Sequence, residues 1–361
     1  MIDRPNILFI MTDQLRYDQL GITNLVLKTP HLDRLARESV HFTRAYATNP
    51  VCVPARAGIV TGRYPSQTGV PHNATCLPAH ERTVMALLRD AGYHTAVIGK
   101  QHFNGSHIDR GYVFEDIVDS HAPAEIIDGS GDSYQRFLHE HGFRQRKELC
   151  EPLDDVVNRW LVDQRFHVDH YIGEQSIAWL REDRPTDKPW YCCLSFPGPH
   201  GPVDGCGLPQ QKLYPLDEID LPAAGIDDLR AKPSYYFRTS TSGGRPKLDP
   251  MPDEQLCRIR QAWYANISLI DDQVGRILDT LRELCEYDRT LIVFSTDHGD
   301  FTGDFNLVDK GPYLLDPLMH IPLFIKPPIA GFSGREESAL VSSIDFAATW
   351  LTAAGVPVPV S

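Results

Sequence analysis

The sequence predicts an α/β fold of the doubly wound kind, and three observations carry that prediction. The strand candidates are continuous apolar runs, Ile7-Leu8-Phe9-Ile10-Met11 being the clearest, as in a sheet covered on both faces. Such runs alternate with helical patterns along the chain. Polar clusters follow directly on four of the strand candidates, and an open sheet of this kind collects its site at the carboxyl ends of its strands.

Taken in order, the first strand spans Asn6 to Thr12. Thr29-Pro30-His31-Leu32-Asp33-Arg34-Leu35-Ala36 offers a cap, a proline at the first helical position and helical spacing. The next helix begins at Cys52-Val53-Pro54-Ala55-Arg56 and runs through Ala57-Gly58-Ile59-Val60-Thr61 to a stop at Gly62. Proline suits that first turn because its missing N–H would be unpaired there anyway. A helix from Glu81 to Ala91 ends at Gly92 and leads into a strand from His94 to Ile98. Helix Tyr171 to Arg181 leads into strand Trp190 to Phe196. A long helix is expected from Asp253 to Cys285, with Trp263, Ile267, Ile270, Val274, Ile277, Leu278 and Leu281 on one stripe. Strands Thr290 to Ser295 and Pro322 to Lys326 and a helix Ile344 to Ala354 complete the pattern. Residues 108–169 and 198–252 read as insertions of weak periodicity, of the kind that carries loops around a site. There is no internal repeat and no low-complexity tract.

A chain of 361 residues with 42% hydrophobic and 23% charged content is a globular protein of one large domain or two ordinary ones. Its net charge of −13 argues against a general nucleic-acid binder. An anionic small molecule stays admissible, since a local cluster of Arg, Lys, His and a metal outweighs the overall field. The cysteines stand at 52, 76, 150, 192, 193, 206, 257 and 285 without a C-x-x-C pair, so neither a zinc site nor a thioredoxin-type motif is indicated. Cys192 and Cys193, inside an apolar strand, read as small core residues. The first apolar run is too short, and too soon interrupted by Asp13, for a signal peptide, and no stretch approaches a membrane span. The expected location is the cytoplasm, with reduced thiols.

At a helix N-terminus Cys52 would sit where unpaired N–H groups and the macrodipole favour negative charge, with Arg56 one turn on. It is either a low-pKa nucleophile or the mark of a place where another anion is bound. The four polar clusters are Asp13-Gln14, Lys100-Gln101-His102, Pro199-His200-Gly201-Pro202 and Asp297-His298-Gly299-Asp300. Lys100 and His102 stand two apart after a strand, so alternation would turn both towards one pocket.

Cys52 to Arg56 followed by Thr61-Gly62-Arg63 resembles the signature of the type I, formylglycine-dependent sulfatases of the alkaline phosphatase superfamily. Asn6 to Gln14, Thr29 to Ala36, Gly99-Lys100-Gln101-His102, Thr296-Asp297-His298-Gly299 and Lys310-Gly311 resemble further motifs of that family, in its order. The resemblance implies an alkaline-phosphatase-like mixed, mostly parallel sheet with helices on both faces. It implies one catalytic α/β domain over residues 1–361, with the family's usual smaller C-terminal subdomain absent or truncated after Ser361. It also implies hydrolysis of a sulfate monoester.

Asp13, Gln14, Asp297 and His298 match the family's metal ligands, and three oxygen donors with one imidazole suit a hard divalent cation. The resemblance favours Ca²⁺, with Mg²⁺ or Mn²⁺ as alternatives. Cys52 would be oxidised by the formylglycine-generating enzyme to an aldehyde that hydrates to a geminal diol. One hydroxyl would attack sulfur and the other would expel sulfate. By the same resemblance Arg56 holds the diol, Lys100 binds a sulfate oxygen and His102 is the base for collapse. His200 and Lys310 bind sulfate and protonate the leaving oxygen, and Asn73 contacts substrate.

Two rivals follow. One is a phosphonate monoester or phosphodiester hydrolase of the same superfamily, which Asp13-Gln14 also resembles, although Lys100 and His102 match the sulfatase pattern. The other is a non-catalytic binding protein, which would need a lost ligand or nucleophile where every position is filled. The expected partner is a small-molecule or carbohydrate sulfate ester, with no nucleic acid and no membrane. The alcohol stays open between a carbohydrate, an aryl alcohol and a choline-like one.

Overall fold

The computed structural model describes residues 4–103, 108–119, 131–234, 236 and 250–359. Its main sheet has eight strands: β1 (Asn6–Asp13), β2 (Val40–Phe42), β3 (His94–Gly99), β4 (Phe114–Ile117), β5 (Trp190–Pro199), β6 (Thr290–Thr296), β7 (Phe324–Lys326) and β8 (Arg335–Glu337). Their spatial order is β8-β2-β7-β6-β1-β5-β3-β4. Strands β6, β1, β5, β3 and β4 run parallel, while β7 is antiparallel to both of its neighbours. The sheet is therefore mixed and mostly parallel.

The continuous apolar runs are explained by two cores, one on each face. Leu8 and Ile10 of β1 join Cys192, Leu194 and Phe196 of β5 in one core, against α5 (Val168–Ala178) and α6 (Asp253–Glu283). Ile7, Phe9 and Met11 join Tyr191 and Cys193 in the other, against α2 (Cys52–Thr61), α3 (Val84–Asp90) and α7 (Asp345–Ala353). Phe9 stands 4.8 Å from Trp350 of α7, ring centre to ring centre. Burying one such side chain contributes about 1.5–3 kcal/mol, so a polar substitution on either face of β1 would be costly. Helix α1 (Pro30–Arg37) begins at the expected proline, but the Thr29 hydroxyl before it does not cap it and donates instead to Asp33 Oδ1 at 2.9 Å; α4 (Ser133–Glu140) lies within the first insertion.

Several boundaries differ from the sequence expectation, each for a local reason. Helix α3 starts at Val84 rather than Glu81, because the Thr83 hydroxyl caps it by accepting from Ala86 N at 3.2 Å. Helix α5 starts at Val168 because His167 Nδ1 accepts from Asp169 N at 3.3 Å. Helix α6 ends at Glu283, short of Cys285, whose φ of +57° cannot continue it. Strand β5 continues through Pro199, and β7 begins only at Phe324. The insertions are more structured than expected. Val157–Trp160 of the first pairs on one side with Cys150–Pro152 and on the other with Val203–Cys206 of the second, in a separate three-stranded sheet. Residues 120–130 and 237–249 of these insertions lie outside the described residues. Among the described residues, no helix is long and apolar enough to cross a membrane.

Candidate active site

Strands β1, β3, β5 and β6 end side by side, and Arg56 of α2 is the residue that joins their ends. Its Nε donates to Asp297 Oδ2 at 2.7 Å, and one terminal nitrogen donates to Asp13 Oδ2 at 3.0 Å. The other donates to Lys100 O at 2.8 Å and Ser195 Oγ at 3.1 Å. A buried guanidinium is tolerable only with partners of this kind. The expectation that Arg56 simply aims a cation at Cys52 is thereby refined, since most of its donors hold two carboxylates and two strand ends. Ser195 was not singled out from sequence, because a single hydroxyl inside an apolar strand carries no signal.

Helix α2 begins at Cys52 as expected, and Val51, the residue before it, has no capping side chain. Asn73 fills that role from elsewhere, its Oδ1 accepting from Val53 N at 3.0 Å. The helix lies tight against its surroundings: a Cβ on Gly58 would stand 2.7 Å from Thr48 Oγ1. Cys52 is fully buried.

With each Oδ2 taken by Arg56, the Oδ1 atoms of both carboxylates turn inward. Asp13 Oδ1 accepts from the Cys52 thiol at 3.8 Å. Asp297 Oδ1 accepts from Gln14 N at 3.2 Å and His298 N at 2.9 Å. His298 Nδ1 is hydrogen-bonded to Gly299 O at 2.8 Å, which turns Nε2 to the Cys52 sulfur at 3.1 Å. Ligand atoms of Asp13, Cys52, Asp297 and His298 all lie within 4.8 Å of one another, and all four residues are buried.

Gln14, held at φ +69°, donates its amide to Asp300 Oδ2 at 2.6 Å and Asp309 Oδ1 at 3.3 Å. Its Oε1 accepts from Lys310 Nζ, which also stands 2.6 Å from His200 Nε2. The acidic side chains of Asp300 and Asp309 thus fix which way the amide faces, a role that sequence reasoning did not give them. The donor types of Asp13, Gln14, Asp297 and His298 suit a divalent cation, being carboxylate, amide and imidazole, with the ring nitrogen already oriented and the Gln14 amide oxygen engaged by Lys310 Nζ.

Lys100 and His102 do converge on the site, but strand alternation is not the reason. Strand β3 stops at Gly99, with φ +99°, and a Cβ there would stand 2.1 Å from Ser195 O. The chain then turns, and Asp119 Oδ1 accepts from Gln101 N at 2.7 Å and His102 N at 2.9 Å. Lys100 Nζ reaches Asp13 Oδ2 at 2.6 Å. Two further residues missed from sequence hold the end of β5, just before His200. Asp169 accepts from Gly198 N at 3.0 Å through Oδ1 and from Asn266 Nδ2 at 2.9 Å through Oδ2.

The charges set one another. Burial and Asp13 push the Cys52 thiol up, but Lys310, His298 and a hydrogen bond from His102 prevail and bring it down to about 6. Burial works against the His298 cation, yet Asp297 and Cys52 raise it to about 9. Asp13 is held well below the usual carboxylate range, since Lys100, His200, Arg56 and His298 outweigh its burial. Lys310 is raised despite burial by Cys52, Asp309, Asp13 and Asp300.

Residues 5–356 match the Sulfatase family model. The chain is 30% identical to an arylsulfatase of Clostridium perfringens, over 99% of this chain and 76% of the relative. It is 30% identical to a choline-sulfatase of Rhizobium meliloti, over 98% of this chain and 68% of the relative. Among solved structures, a phosphonate monoester hydrolase from Silicibacter pomeroyi superposes with a TM-score of 0.82 at 25% identity, covering 99% of this chain and 74% of that one. A structure titled as a complex with D-glucosamine-2-N,6-O-disulfate shares the fold, with a TM-score of 0.71 at 22% identity over 99% and 78% of the two chains. The match runs from the first strand to the last helix, so the chain belongs to the sulfatase family, hydrolases of sulfuric esters built on the alkaline-phosphatase-like fold.

Proposed function

We propose that the chain hydrolyses a sulfate monoester to an alcohol and inorganic sulfate at Cys52 in its formylglycine form, beside one divalent cation. The observation that carries the reading is the convergence of Cys52, Asp13, Asp297 and His298 in one buried cluster braced by Arg56. Asp13, Gln14, Asp297 and His298 would hold the cation, Ca²⁺ in keeping with the resemblance. When bound, the cation would supply Lewis-acid charge, and the formylglycine, derived from Cys52 by the formylglycine-generating enzyme, would supply the nucleophilic hydroxyl of a hydrated aldehyde.

The chain's own residues do the rest. Arg56 fixes the two carboxylates and leaves their Oδ1 atoms turned inward. Lys100, at the edge of the same cluster, is the cation for a sulfate oxygen, and His102 is the base beside the nucleophile. Lys310 and His200 share a hydrogen bond and form the proton source for the departing oxygen. Asn73 joins this group by its place at the start of α2, where it also steadies Cys52. The substrate is read as a carbohydrate or another small-alcohol sulfate. The similar proteins include an N-acetylglucosamine-6-O-sulfatase as well as the aryl and choline enzymes. A cytoplasmic setting is in keeping with the eight free thiols.

The close superposition on a phosphonate monoester hydrolase favours that activity as the second reading. Kinetics on an aryl sulfate and an aryl phosphonate ester with the same leaving group separate the two. A higher kcat/KM on the sulfate is expected, because Lys100 and His102 suit a bare oxygen where a phosphonate carries a substituent. A preference for the phosphonate would reverse the order of the two readings.

A further inference from the structure

The spacing of the cysteines gave no hint of zinc, yet the fold brings four zinc-type donors together. We infer that the unmodified chain, with Cys52 still a thiol, is a four-coordinate Zn²⁺ site made of Cys52 Sγ, His298 Nε2, Asp13 Oδ1 and Asp297 Oδ1. In the formylglycine form, which has no sulfur at this position, the same site suits a harder cation. This rests on reading the same cluster as the reaction centre.

The four ligand atoms lie within 4.8 Å of one another, close enough to share one four-coordinate ion. With Zn–N and Zn–O bonds near ~2.1 Å and Zn–S near ~2.3 Å, donors lie roughly 3.3–3.7 Å apart. The separations here are 3.1 Å for Sγ to Nε2, 3.8 Å for Sγ to Asp13 Oδ1 and 3.9 Å for Nε2 to Asp297 Oδ1. All four donors come from fully buried residues. Each is already aimed, the two Oδ1 atoms because Arg56 holds the Oδ2 atoms and Nε2 because Nδ1 is bound to Gly299 O.

The donor set changes with the state of residue 52. A thiolate with one imidazole and two carboxylates selects a thiophilic ion such as Zn²⁺ over Ca²⁺ or Mg²⁺. On binding, the single proton shared by Cys52 Sγ and His298 Nε2 passes to solvent as both atoms bond to the ion. Four protein ligands fill the tetrahedron, so no position is left for substrate and the zinc form is inert. Once sulfur is gone, the donors are oxygen and imidazole, which suit larger, harder cations. The metal a preparation retains would therefore report how much of it is modified.

The test uses the full chain made without the formylglycine-generating enzyme, its thiol verified by mass. Zn²⁺ is titrated against a chromophoric chelator, and Co²⁺ serves as the spectroscopic probe. One Zn²⁺ per chain is expected, with a sulfur-to-cobalt charge-transfer band and the strong visible bands of tetrahedral Co²⁺. Cys52→Ser should weaken Zn²⁺ about 100-fold or more, the upper end of what even outer partners of a metal site cost. Cys76→Ser and Cys285→Ser, at exposed thiols, should change nothing. The formylglycine-bearing protein, which needs no substitution to fold, should lack the charge-transfer band. Absence of that band from the thiol form, or undiminished Zn²⁺ affinity in Cys52→Ser, overturns the inference. If the modified protein still turns over an aryl sulfate with a hard cation, only this inference has failed. If it neither binds metal nor turns over, the proposed function fails with it.

Discussion

Buried cations occur at both ends of the parallel strands, and they are held in opposite ways. At the amino end Lys326 of β7 lies beside the start of β6 and donates to the carbonyls of Tyr287 and Thr290, with its ammonium 4.3 Å from the Tyr287 ring. Its partners are mostly neutral. Burial, with Arg282 nearby, brings it down to about 8, although Asp288 and Glu38 act the other way. At the carboxyl end Arg56, Lys100 and Lys310 are just as buried, but carboxylates and the Cys52 sulfur surround them, and Lys310 is pushed up instead of down. A cation buried among dipoles drifts towards neutrality, whereas one held among anions stays charged. The second arrangement conserves charge out of water, and charge out of water is what stabilises a developing anion. A cavity of about 590 Å³ also opens beside Lys326, lined by Glu38, Arg282 and Asp288, so a cavity does not by itself mark the end where the strand-end residues converge.

The largest expected effect comes from removing the centre of the charged end. Cys52→Ala should abolish sulfate ester turnover while leaving the melting temperature within a few degrees, as the helix keeps its Asn73 contact to Val53. Next is Arg56→Lys, which keeps the charge and loses the fork that holds both carboxylates. A rate loss of about 100-fold or more is expected, measured as kcat on an aryl sulfate. Loss of less than tenfold would mean that the carboxylates hold themselves.

Asp169→Asn sharpens the comparison from a distance. The substitution would place an amide where Asp169 accepts from both Gly198 N and Asn266 Nδ2, at the end of β5 beside His200. One contact would be lost or inverted, at about 1–3 kcal/mol. We expect kcat to fall about tenfold with KM little changed, because His200 moves relative to Lys310. Thermal melting reads the stability part of the effect, and the kcat against KM split reads the positioning part.

The smallest effect tests the neutral end. Lys326 has a folded pKa near 8 and an unfolded one of 10.5, so the unfolded chain binds more protons between those values. Its charge therefore costs stability in full below pH 8, and that cost fades as the pH rises to 10.5. Lys326→Met has no such dependence. Denaturant unfolding of both proteins should show the wild type gaining on the variant across this window, and parallel curves would contradict the assignment.

How much of this was legible in the sequence depends on whether the signal was local. The β1 run, the start of α2 at Cys52 and the four polar strand ends could be read directly, because each is a contiguous pattern set by sheet burial or by a proline in a helix's first turn. Ser195, Asp169 and Asn266 could not, as each acts through one contact with a residue far along the chain. The approach of His102 was anticipated for the wrong reason, since the left-handed turn at Gly99 and the Asp119 carboxylate direct it and neither shows in a two-residue spacing. The small sheet linking the insertions was invisible for a similar cause. Val157 pairs with Val203 across an intervening helix and strand, in segments too short to show a period.

The central claim is that the charged end holds one divalent cation beside Cys52 through Asp13, Gln14, Asp297 and His298. Metal content of the formylglycine-bearing protein, measured by elemental analysis after exhaustive dialysis, tests it most directly when wild type is set beside Asp297→Asn. The account predicts about one ion per chain in the wild type, and in the variant neither ion nor turnover. Equal metal content in the two proteins would contradict it.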